Sequence, residues 1–220
     1  MAERGYDRFF EVGIYALAMA FLEAVFVVYL RNATIPNNAF VYRIELFREA
    51  ATMVMLAIIG ILAGKKRYEK FAFFIYAFAI WDIFYYVFLK VLINWPASLL
   101  TWDTLFLIPV KWIGPVLAPV LVSLTMIALA VVIEKAEGKG KKVYINWKEE
   151  IVLIIGALTV LFTFIYDYSK ILIEGGFKIT PQIQQIMASY TPATYNWPVF
   201  IIGEIIMIIG IGMFWLRYRK

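Results

Sequence analysis

Six apolar stretches, each near the length of a membrane-spanning helix and each closed by charge or by Gly, Pro and Asn, constrain this chain more than any other feature. A helix needs about 20 such residues to cross the hydrocarbon core of a bilayer. Only helices and closed barrels satisfy their backbone hydrogen bonds there without water. The runs predict helices from Phe10 to Leu30, Phe47 to Ala63, Phe71 to Ile93, Ile113 to Ile133, Ile151 to Tyr168 and Pro198 to Leu216. The chain is 63% hydrophobic, against about 45–50% for soluble domains. A chain of 220 residues has too much surface to hide that excess in a soluble core. The expectation is an all-α fold, a single six-helix transmembrane domain covering residues 1–220, in the cell membrane.

The breaks between the runs are basic on one side. Gly64-Lys65-Lys66-Arg67 follows the second run, Glu134-Lys135 and Gly138-Lys139-Gly140-Lys141-Lys142 the fourth, and Arg217-Tyr218-Arg219-Lys220 the sixth. With the N-terminus inside, 14 of the 21 lysines and arginines fall on inner segments and 7 on outer ones. Cytoplasmic loops carry the excess of Lys and Arg, so both termini are expected in the cytoplasm. The net charge of +5 belongs to helix ends. It reads as membrane orientation, with no nucleic-acid partner. The first run is longer than the apolar region of a signal peptide and is charged on both flanks, so it reads as a retained helix. Ala16-Leu17-Ala18, a small-residue motif, lies inside it.

The outer loops are long and rich in Trp, Pro, Tyr and Asn. The third, from Asn94-Trp95-Pro96 to Trp112-Ile113-Gly114-Pro115, is too apolar to stand in water. It is expected to lie in the interface or dip back against protein. Thr180-Pro181 starts a short surface helix with Ile183, Ile186, Met187 and Tyr190 on one face. Asn32-Ala33-Thr34 is a sequon on the outer side. Pro115 and Pro119 kink the fourth helix or mark its start.

The chain has neither Cys nor His. That excludes disulfides, thiol nucleophiles, His-ligated haem and a Ser-His-Asp triad. Acid–base chemistry falls to Asp, Glu, Tyr, Lys and Arg. No lysine lies in the sixth helix, which argues against a retinal-type Schiff base. No catalytic residue, metal ligand or cofactor is assigned.

Ionisable groups inside a membrane are costly and mark function or pairing. Glu23 lies in the first helix. Glu45, Arg48, Glu49 and Thr52 share one face at the start of the second, at i, i+3, i+4 and i+7. Asp82, Tyr86 and Lys90 share a face of the third, with Tyr85 beside them. Asp167 belongs to a stripe of Gly156, Thr159, Thr163, Tyr166, Asp167 and Lys170 on the fifth, Glu204 lies in the sixth, and Trp102 and Asp103 lie in the apolar loop. Counting along the helices puts Glu23 and Asp82 roughly 12 Å and Glu204 roughly 10 Å from the outer end. The expectation is one outward-opening polar cavity, with Glu23, Arg48, Glu49, Asp82, Tyr85, Tyr86, Trp102, Asp103, Asp167 and Glu204 as ligand-binding residues. The competing reading pairs Glu49 with Arg48 and Asp82 with Lys90 as structural ion pairs. A stripe of Ala16, Ala20 and Ala24 on the first helix suits close helix packing, or contact with a second copy or another membrane subunit.

The run Trp81-Asp82-Ile83-Phe84-Tyr85-Tyr86 to Leu89-Lys90, then Trp95-Pro96, Leu100-Thr101-Trp102-Asp103, Leu107-Ile108-Pro109 and Gly114-Pro115-Val116-Leu117-Ala118-Pro119, resembles a family of prokaryotic multi-pass membrane proteins without an assigned activity. The resemblance implies a shared fold. The layout is also similar to substrate-binding subunits of energy-coupling-factor vitamin transporters, which have six helices, an outward pocket roofed by loops and an alanine stripe on helix one. Three functions follow as expectations. The first is binding or transport of a small polar or cationic ligand, a proton or a metal ion. The second is an intramembrane enzyme acting on a lipid or isoprenoid through carboxylates, with Mg²⁺ as a candidate ion. The third is a structural subunit of a membrane complex.

Overall fold

The computed structural model describes residues 2–32, 39–108, 110–138, 143–174, 192 and 194–219. Its helices are α1 (Ala2–Asn32), α2 (Ala39–Ala63), α3 (Arg67–Ile93), α4 (Leu117–Gly138), α5 (Trp147–Glu174) and α6 (Trp197–Tyr218). A two-stranded hairpin, β1 (Trp102–Phe106) and β2 (Trp112–Pro115), stands between α3 and α4. All six helices are long and apolar enough to cross a membrane. Their outward faces carry Ile58, Leu62, Leu158, Ile202, Ile205 and Ile209, each about half exposed or more. Apolar surface on that scale calls for an apolar solvent. The predicted surface helix from Thr180 to Tyr190, Ala33 and Thr34 of the sequon, and residues 139–142 lie outside the described residues.

Packing follows residue size. α3 is the hub, touching α1, α2 and α4. Ala72, Ala77 and Ala79 on α3 are fully buried, as are Ala16, Ala20 and Ala24 on α1. Ala16, Ala20 and Ala77 share a core with Val12, Phe73 and Trp81. The alanine stripe is thus consumed by packing inside the chain. α5 and α6 form a second close pair, joined to the rest through α4 and β2. A Cβ on Gly203 would sit 3.0 Å from the Val160 backbone nitrogen and 3.1 Å from the Gly156 carbonyl oxygen. Backbone therefore lies against backbone there, and no side chain fits between the helices.

The hairpin is the main departure from the sequence reading. The expected fourth helix begins at Ile113, but Ile113, Gly114 and Pro115 belong to β2. Trp102 pairs with Pro115 and Asp103 with Gly114, antiparallel, with an irregularity between Thr104 and Phe106. Val116 N–H and Leu117 N–H donate to the Thr101 and Leu99 carbonyls at 3.0 and 2.8 Å, so the backbone polar groups of this loop are met by protein. Pro119 sits in the first turn of α4, where its missing N–H breaks no helical bond. It marks the start of the helix. α3 stops at Asn94, whose φ of 54° is the left-handed conformation that Asn tolerates better than most residues.

The α5–α6 contact yields a first prediction. Gly203→Ala forces backbone apart and should destabilise the fold by about 1–3 kcal/mol, read as a lowered thermal midpoint in detergent. Gly212→Ala, where a Cβ meets nothing within 4 Å, should leave that midpoint unmoved.

Candidate functional site

The up-and-down order gathers ionisable side chains at both ends of the bundle, and the two ends differ. At the end formed by the starts of α1, α3 and α5, acids meet bases. Arg8 bridges Glu69 at 3.2 Å and Glu134 at 2.8 Å. Lys66 meets Glu137 at 2.6 Å. Arg217 forks onto Glu149 at 2.9 and 2.6 Å and donates to the Tyr144 carbonyl. The backbone N–H groups of Lys65 and Lys66 donate to Glu69. These ties lock helix ends together.

The opposite end holds a cavity of about 550 Å³ between α1, α2, α3 and the hairpin. Five carboxyl groups line it: Glu23, Glu45, Glu49, Asp82 and Asp103. The cationic lining is Arg48 and Arg31, and Arg31 also lies over the Trp95 ring at 4.2 Å. Trp81, Tyr85 and Tyr86 supply aromatic walls.

α2 contributes most, because its polar residues recur at helical spacing. Arg48 lies over Phe26 at 5.0 Å. It donates to both oxygens of Glu45, at 3.1 Å from Nε and 2.5 Å from Nη2, and it pairs with Glu23 of α1. One guanidinium thus serves two carboxylates. Glu49, 7% exposed, does not pair with Arg48 as its neighbour in sequence would suggest. Its carboxylate accepts the backbone N–H of Leu107 at 3.0 Å and of Ile108 at 3.1 Å. Those amides sit just past β1, so Glu49 fastens the hairpin turn to α2.

α3 supplies Asp82 and the two tyrosines. Asp82 accepts from Ser123 of α4 at 2.9 Å. Lys90 turns away and donates to the Pro96 carbonyl at 2.9 Å, so the pairing of Asp82 with Lys90 that helical spacing permits is not made. Tyr86 donates to Asp103 on β1 at 3.2 Å. Asp103 is half-buried although it lies outside the helices. Burial pushes its carboxyl up to about 6, against the opposing pull of Arg31 and Lys111. Burial lowers Lys111 in turn, with Asp103 opposing.

Seven of the ten residues singled out from sequence line this cavity: Glu23, Arg48, Glu49, Asp82, Tyr85, Tyr86 and Asp103. Three do not, and the single shared chamber is corrected accordingly. Trp102 turns toward Tyr195, with ring centroids 6.0 Å apart. Asp167 lines a smaller recess of about 340 Å³ beside Thr163, Tyr166 and Tyr195. Glu204 lies across α4, where Thr125 donates to it at 2.6 Å. α4 divides the two regions. Ser123 and Thr125, two residues apart, project from nearly opposite sides of that helix. Sequence reasoning left out Glu45, which the i, i+3 pattern with Arg48 had marked, and Trp81. It also left out Ser123 and Thr125, whose lone hydroxyls in an apolar helix carry no pattern.

No family model fits the chain, and neither a curated protein nor a solved structure matches it. The reading of the site therefore rests on its own chemistry.

Glu49→Ala should release the hairpin turn. Two backbone N–H groups lose their acceptor, a loss of about 1–3 kcal/mol for buried donors. Hydrogen exchange at Leu107 and Ile108 should accelerate while exchange in α5 and α6 stays unchanged. Unaltered protection at those two amides would mean that the turn is held by something else.

Proposed function

We propose that this chain is a multi-pass protein of the cell membrane with both termini in the cytoplasm. In this reading the cavity under the hairpin faces outward and binds a small organic cation, for capture or transport. One observation carries the proposal: five carboxyl groups line a cavity of about 550 Å³ whose cationic lining is Arg48 and Arg31. A surplus of buried acid must bind protons or a positive ligand, since like charges held together resist joint ionisation. Volumes of about 300–1,000 Å³ suit small-molecule ligands. Trp81, Tyr85 and Tyr86 offer ring faces of the kind that attract ammonium groups.

The other functions draw less support. Among the described residues no three acids are arranged to hold a metal ion, which favours an organic cation or a proton over a bare divalent ion and gives a Mg²⁺-dependent lipid enzyme no ligand set. A purely structural subunit should pair its acids and leave no cavity. That arrangement describes the opposite end of the bundle. The orientation is supported by the basic loops at the paired end, following the positive-inside rule.

The test is binding to purified protein in detergent, with choline as a quaternary probe and putrescine as a primary-amine probe. At least one should raise the thermal midpoint, and Asp103→Asn should weaken that binding tenfold or more. Two pH effects follow from Asp103, whose carboxyl titrates near 6. Binding should strengthen as pH rises through about 6, because the ionised form attracts the cation. Stability without ligand should run the other way. The folded state holds the Asp103 proton more tightly than the unfolded chain does, so stability falls between about pH 4 and pH 6. Asp103→Asn should flatten both curves. Failure of both probes to bind at any pH from 5 to 8, with the protein folded, would remove the cation reading.

A further inference from the structure

Across α4 from the cavity, one carboxyl group combines, as no other among the described residues does, a buried oxygen without a hydrogen-bond partner and the lack of an ion pair. Glu204, on α6, is 8% exposed. One of its oxygens accepts from Thr125 Oγ1 at 2.6 Å, and the other is buried without any hydrogen-bond partner. No Lys or Arg among the described residues forms an ion pair with it. No hydrogen bond reaches it from the described residues of α5. Gly156 and Val160 of α5 press against Gly203, the residue before it, closely enough to leave no room for a methyl group. Phe200 and Met207, one turn to either side, are buried in the apolar core with Val160 and Phe164. The titratable group that its charge reaches is Tyr195, itself bonded to Thr163. From α4 it meets Thr125, and Asp82 stands on the far side of that helix with Ser123.

An ionised carboxylate in this place lacks a donor for one oxygen and a countercharge for the whole group. Such burial costs several kcal/mol, and the usual escape is neutralisation. A protonated carboxyl carries no net charge. It can also donate to Thr125 Oγ1 across the same short contact, with the threonine hydroxyl turning to another acceptor.

We propose that Glu204 is a proton-binding site, separate from the cation cavity, that holds its proton at neutral pH and is reached from the apolar flank of the bundle. Glu204 and the cavity acid Asp82 are tied to the same turn of α4 through Thr125 and Ser123. Loss of the Glu204 proton therefore falls on the helix whose Ser123 holds a cavity acid. This proposal does not rest on the identity of the cavity's ligand, and neither choline nor putrescine enters its test.

The experiment is infrared difference spectroscopy of the full chain in detergent at pH 7, wild type against Glu204→Gln. The carbonyl stretch of one protonated carboxyl should be present in the wild type, absent from the variant, and lost reversibly as the pH is raised. The isosteric neutral amide should leave the thermal midpoint at pH 7 unchanged or raised. Dicyclohexylcarbodiimide, an apolar reagent, should label the protonated group. The carboxyl adds across a C=N bond and rearranges to an N-acylurea with no leaving group, so peptide mapping places the adduct on residue 204. If Glu204→Gln fails to fold, Glu204→Asp serves instead, and the band should move in position or in titration midpoint. Identical carbonyl bands in wild type and variant would overturn the proposal. So would a band abolished by NaCl at constant pH, which would make Glu204 a sodium ligand.

Discussion

Charge held away from water must be paired, hydrogen-bonded or neutralised, and this demand organises both ends of the bundle. At one end Arg8, Lys66 and Arg217 each meet an acid from another helix. Those pairs cross-link α1, α3, α4, α5 and α6. At the other end Arg48 is divided between Glu23 and Glu45, Glu49 is spent on backbone amides, Asp82 accepts from the Ser123 hydroxyl, and Asp103 accepts from the Tyr86 hydroxyl and the Thr104 backbone N–H. The same residue types thus build a clamp in one place and an unfilled electrostatic demand in the other. The functional reading depends on that contrast.

Much of this was legible in the sequence because helices in an apolar solvent leave strong marks. Each of the six runs became a helix, and every one begins earlier or ends later than hydropathy alone suggested. The extensions are polar: α2 starts at Ala39, before Arg43, Glu45 and Arg48, and α5 runs on to Glu174. Apolar content finds the part of a helix apolar enough to cross a membrane and misses its polar end turns. The α2 stripe was visible for a related reason, since a spacing of three and four residues fixes a shared face whatever surrounds it.

What stayed hidden depends on contacts distant in sequence. Trp102 to Phe106 and Trp112 to Pro115 form a hairpin, yet no Asn-Gly or Asp-Gly turn separates them, and an apolar run of that length reads equally as helix or strand. The hairpin exists because Glu49, more than fifty residues away, accepts its turn amides, and because Trp112 stacks on Phe164 at 6.3 Å. The division of the acids into two regions was hidden likewise. Equal depth along their helices places Glu23, Asp82 and Glu204 at one height, but height does not reveal that α4 stands between them. Ser123 and Thr125 make that partition polar on both sides.

The glycine contact between α5 and α6 carries a mechanical consequence. Two helices touching backbone to backbone have no side-chain cushion to compress, so neither can slide or tilt without separating from its mate. The two form one stiff pair that rests on α4 and β2. Gly60 makes the same kind of contact between α2 and α3, where a Cβ would sit 2.7 Å from the Phe74 backbone nitrogen, so each half of the bundle holds one helix pair that cannot shift without parting.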